Sequence, residues 1–162
     1  MSNAFLYRMP AGIPGDVTRP SNSTIEPGVF DPAKPFTAYG VPGKVVNEKF
    51  VPLEAGDAAT AVYGILVRPF PTNSSQDGLG TSTPPKTGIN DVLRRGYMTV
   101  LLRSGTAAKA GQVYIRVGAP TADKPLGGFE ASADGTNTIA LANTTFMGAA
   151  DASGNIEISY KI

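Results

Sequence analysis

The sequence predicts an all-β domain, a sandwich or barrel, entered through a long extended N-terminal arm. Three observations carry that expectation. Six or seven short apolar segments, several alternating with period 2, recur between turn signals at the spacing of sandwiches and barrels. Glycine and proline make up 33 of 162 residues, above the roughly 12% of average usage, so the chain turns often. Eight of the 14 prolines fall within the first 52 residues, where they break any helix and interrupt any central strand.

The arm is assigned to residues 1–41 and the β domain to residues 42–162. Between the prolines of the arm stand Phe5, Leu6, Tyr7, Met9, Phe30, Phe36 and Tyr39, more aromatics than a disordered linker carries. Two readings follow from these spaced anchors: the arm lies across a neighbouring molecule, or it wraps its own domain. From Val45 to Val51 a weak strand is expected. Ala58 to Phe70 is nearly all apolar, as a strand buried on both faces is. Thr72 to Asn90 is rich in Ser, Asn, Gly, Thr and Pro and predicts a long surface loop, a length often tied to function. Within Gly88 to Arg95, the spacing of Ile89, Val92 and Leu93 fits a helix of about two turns.

Gly96 to Arg103 is the next strand. Gln112 to Val117 then alternates, with Val113, Ile115 and Val117 on one face and Tyr114 and Arg116 on the solvated one. Gly128 to Ser132 and Asn137 to Leu141 flank Asp134-Gly135, a hairpin signal. Thr144 to Ala149 leads through a turn at Asp151 to Asn155 into a last strand. There Ile156, Ile158, Tyr160 and Ile162 oppose Glu157, Ser159 and Lys161.

The absent residues narrow the function. Without His or Cys there is no Ser-His-Asp or Cys-His nucleophile and no usual ligand set for zinc, copper, haem or iron–sulfur. The chain is not expected to be an enzyme or to hold a cofactor or a metal. A net charge of +1 gives no bulk field for nucleic acid or an anionic membrane, so neither is an expected partner. No run of 18 apolar residues occurs, and Met1 to Pro10 contains no h-region. Arg94-Arg95 is the sole adjacent pair of cations. It suits a solvated strand face or bidentate pairing with acids of a protein partner.

The order of motifs carries a resemblance. Val92-Leu93-Arg94-Arg95-Gly96-Tyr97-Met98-Thr99-Val100 is followed by Ala110-Gly111-Gln112-Val113-Tyr114-Ile115-Arg116-Val117, then Gly127-Gly128-Phe129, then Asn137 to Met147, then Ser153-Gly154-Asn155-Ile156-Glu157-Ile158. This series resembles the C-terminal half of tailed-phage capsid cement, or decoration, proteins over roughly Ala58 to Ile162. The Pro-rich opening and the Thr72 to Asn90 loop depart from that pattern. The resemblance implies a jelly-roll β-sandwich and a virion structural protein, made in the host cytoplasm, on the outer surface of the expanded head. There it would bridge major capsid protein subunits, beside neighbouring copies of itself as a dimer or trimer. Phe5, Leu6, Tyr7, Met9, Phe30, Phe36, Tyr39, Arg94 and Arg95 are then the candidate contacts. The alternative is a carbohydrate-binding or adhesin-like module using Tyr63, Tyr97 and Tyr114 as an aromatic platform, a reading weakened by the absence of Trp.

Overall fold

A computed structural model describes residues 12–69 and 83–162. Nine strands follow in chain order: β1 (Thr24–Val29), β2 (Pro42–Val46), β3 (Lys49–Pro52), β4 (Gly64–Leu66), β5 (Ile89–Ser104), β6 (Gln112–Arg116), β7 (Phe129–Glu130), β8 (Thr138–Phe146) and β9 (Asn155–Tyr160). The all-β class holds. The layout differs from the two facing sheets of a jelly roll, because one set of pairings closes on itself. β5 pairs with β9, β9 with β8, β8 with β6, β6 with β7, and β7 returns to β5 as a parallel partner. Closure of this five-stranded ring removes the open strand edges that would template aggregation.

All five strands send apolar side chains into the ring. Met98, Val100, Val113, Ile115, Phe129, Leu141, Phe146, Ile156, Ile158 and Tyr160 form one buried cluster. The alternation of Val113, Ile115 and Val117 is therefore an inward face.

The first half of β5 belongs to a second sheet, ordered β3-β2-β4-β5-β1. A bridge between Phe30 and Phe50 brings the end of β1 back to β3, so this sheet curls around a second cluster. That cluster holds Phe30, Phe36, Tyr39, Phe50, Leu66 and Val92. The expected burial of the Ala58 to Phe70 segment on both faces is seen in β4: Ile65 joins the ring cluster and Leu66 the second one. The strand itself is only three residues long, since Ala59–Ala61 form a 3-10 turn.

Several local expectations are corrected. Val45 to Val51 is not one strand but the β2–β3 hairpin, turned at Asn47 (φ 49°) and Glu48 (φ 64°), the geometry of a tight two-residue turn. Gly88 to Arg95 is extended, so β5 begins inside the segment assigned to the long loop. Its helix-like spacing arises because Leu93 and Val92 serve two different cores, one on each face. Asp134-Gly135 does not close a hairpin: β7 and β8 both pair with β6, which lies between them. Ile162 lies beyond β9 and is largely exposed.

Residues 12–41 are tied to the chain's own domain. Gly15 N donates to Thr99 O (2.9 Å), Thr99 N to Asp16 O (2.9 Å) and Thr18 N to Tyr97 O (3.1 Å). β1 then runs antiparallel to β5 from Thr24 opposite Arg95 to Val29 opposite Ile89. A free arm does not describe this stretch, which wraps its own domain. Residues 1–11 and most of the Thr72 to Asn90 segment lie outside the described residues.

Candidate functional site

The candidate contacts separate into three groups. Phe5, Leu6, Tyr7 and Met9 lie outside the described residues. Phe30, Phe36 and Tyr39 are each 4% exposed. The Phe36 ring stacks on Phe50 at 4.9 Å and tilts against Phe30 at 5.5 Å. As contacts for another molecule these three are corrected, because they already fill the curled sheet. Arg94 and Arg95 are accessible and sit on adjacent positions of β5.

Arg94 is organised by its neighbours. Its guanidinium lies 3.4 Å from the Tyr63 ring centroid, Nη1 donates to Tyr63 O (2.6 Å), and Nε is 3.4 Å from Glu26 Oε2. The Tyr63 hydroxyl donates to the same carboxylate at 2.7 Å, which raises the phenol's pKa. β1, the residue just before β4, and β5 thus bring Glu26, Tyr63 and Arg94 together. Arg95 lines a separate shallow cleft with Ser21, Asn22, Ser23, Thr24, Tyr97 and Ile162.

Of the three tyrosines of the carbohydrate-binding alternative, Tyr63 and Tyr97 have cations stacked over their rings. Tyr63 is capped by Arg94, and Tyr97 carries Arg19 over its ring at 4.1 Å. Arg19 is held there by Glu157 through contacts of 3.1 and 3.0 Å. Among the described residues, no cluster of three or more acidic side chains could hold a metal ion, and no helix is long and apolar enough to cross a membrane.

Two features escaped the sequence reading. One is an apolar strip on β1 and the start of β5. Ile25, Pro27 and Val29 alternate onto one face of β1, and Ile89, the cross-strand partner of Val29, is 69% exposed. Period 2 in Thr-Ile-Glu-Pro-Gly-Val was its available signal, masked by a proline that breaks the pattern of an ordinary strand. The other is Arg68. It lies within a nearly all-apolar run and is buried beside Tyr39 and Pro14, with the guanidinium 4.8 Å from the Tyr39 ring centroid.

Comparison with known proteins places this architecture. No curated protein matches the chain by sequence. Among solved structures, a chain from "The capsid of Myoviridae Phage XM1" superposes with a TM-score of 0.67 at 18% identity, over 98% of this chain and 96% of that one. At that identity the likeness speaks for a shared fold. The family model of the XM1 gp53 minor capsid protein matches residues 1–160. With that match running from the first residues through the last strand of the ring, the chain belongs to the XM1 gp53 minor capsid protein family.

Proposed function

We propose that this chain is a non-enzymatic structural protein of the phage head, one that binds the outer surface of the expanded shell and bridges neighbouring major capsid subunits. The single observation carrying the proposal is the family match over residues 1–160, which supports a virion structural role. The outer placement and the bridging are the finer reading, and the geometry supplies its physical means.

The ring closes on itself through its strand pairings, and the curled sheet presents Ile25, Pro27, Val29 and Ile89 to solvent. Each apolar side chain of this size contributes roughly 1.5 to 3 kcal/mol when fully buried, before ordering costs. Residues 1–11, with Phe5, Leu6, Tyr7 and Met9, are the proposed second contact. Two modest contacts joined in one chain strengthen each other through effective concentration. Arg94 and Arg95 add a polar rim, and neighbouring copies of the chain complete the lattice as dimers or trimers.

The test uses expanded and unexpanded phage heads lacking this protein. Co-sedimentation with expanded heads and a rise in the temperature at which those heads rupture are the expected results. Failure to bind any expanded head would overturn the proposal. Deleting residues 1–11 and, separately, introducing Val29→Asp with Ile89→Asp should each weaken binding while the purified protein keeps its melting temperature.

A further inference from the structure

A cleft of about 200 Å³ lies where residues 14 and 37–41 meet the outside of the ring. Arg68 and Arg103 both line it, and among the described residues no Asp or Glu does. Arg68 is only 7% exposed. Its Nε donates to Pro14 O at 3.1 Å, and the Tyr39 ring supports its guanidinium. Nη1, however, is buried without a hydrogen-bond partner. A buried cationic donor left unsatisfied is costly, and native structures rarely keep one without a use for it.

Arg103, the second cation of the lining, packs against Gly128. A Cβ at Gly128 would meet Arg103 Cγ at 3.2 Å, so glycine there lets the Arg103 stem run close against the backbone. Two arginines lining one small cleft, with no acid among its described lining residues, offer the paired donors that suit the two oxygens of a carboxylate. Arg68 is preorganised by Pro14 and Tyr39, so little side-chain entropy is lost when an anion arrives.

We propose that this cleft is a carboxylate-binding site that receives an acidic side chain of a neighbouring subunit in the head. The partner half of this proposal rests on the docking role set out above; the carboxylate half does not. A surface with two cations and no counter-charge among the described residues fits an acidic partner, and net charge +1 gives the whole chain no general attraction for polyanions.

The test has two arms. In the first, NMR follows the Nε–Hε resonances of Arg68 and Arg103 in the full chain during titration with sodium acetate. Sodium chloride at equal ionic strength is the control. Saturable shifts with acetate but not chloride, lost in Arg103→Gln, are expected. Absence of a saturable acetate response would overturn the site. In the second arm, Arg103→Gln should bind expanded heads about 10- to 100-fold more weakly, the usual loss for a charged hydrogen-bonded pair. Arg103 is exposed, so this variant folds, and unchanged head affinity would overturn the partner assignment. If acetate saturates the site while the wild-type chain binds no heads, the docking role fails and the carboxylate site stands.

Discussion

Arg116 is among the largest fully buried side chains of the described residues, although its place on the alternating strand β6 predicts a solvated face. Its Nε and Nη2 grip Glu130 at 2.6 and 2.9 Å, and Nη1 is 2.8 Å from Asp134. The pairing raises the Arg116 pKa and lowers that of Asp134. Arg116→Met alone strands the Glu130 carboxylate and should cost about 3–5 kcal/mol. Joint Arg116→Met and Glu130→Met replaces both charges by apolar groups and should recover most of that loss. Urea denaturation of the two variants decides it: equal losses would remove the stranded charge as the cause.

Tyr160 poses the opposite case. Its ring belongs to the ring cluster, but its hydroxyl is buried without a partner, and burial pushes the phenol up to about 12 from an ordinary 10. A folded-state pKa above the unfolded one contributes stability below pH 10 that is lost as pH rises toward 12. Tyr160→Phe should therefore gain about 1 kcal/mol at neutral pH by removing an unsatisfied group. The alkaline fall between those two pH values should also become shallower, as read from thermal melts across that range.

The element on which the fold turns is β5. Its first half pairs with β1 and β4, its second half with β9 and β7. Gly96 stands at the hand-over with φ +142°, and a Cβ there would fall 2.3 Å from Ser23 Oγ. Both backbone and space demand glycine. Gly96→Val should destabilise by about 2–4 kcal/mol, measured by chemical denaturation; a loss under half a kcal/mol would show that the bend tolerates a side chain.

Within the elements, what the sequence discloses follows local chemistry. The inward face of β6, the double burial of β4 and the turn at Asp151, whose Oδ1 accepts from Ser153 N and Asn155 N at 2.9 and 2.8 Å, all stem from neighbours in sequence. The failures are non-local. Asp134-Gly135 is a sound turn signal, but the ring inserts β6 between the strands it seemed to join. Phe30, Phe36 and Tyr39 look like spaced anchors for any apolar surface, and only tertiary pairing of β1 with β5 shows that the surface is their own. Arg68 carries only a faint signal, a lone cation within an otherwise nearly apolar run.

At the scale of the whole molecule, two clusters share one strand. Leu93 on β5 belongs to the ring cluster and its neighbour Val92 to the curled-sheet cluster. Ile65 and Leu66 of β4 repeat that division. Neither sheet can lose order without stripping one face of these strands of its packing, so the two halves should unfold as a single cooperative unit. A rigid unit of this kind suits a part whose proposed work is to hold neighbours in fixed relation. The sharpest check uses a truncation in each half. Phe36→Ala empties the stacked pair with Phe50 in the curled sheet, and Phe146→Ala empties the ring. Each should cost about 3–5 kcal/mol. Hydrogen exchange should then show protection falling together across β2, β4, β6 and β9 in both variants, with one thermal transition. If Phe36→Ala lowered protection only in β2 to β4 and left the ring at its wild-type value, the curled sheet would be an independent unit. The bridge between the two docking contacts would then be hinged instead of rigid.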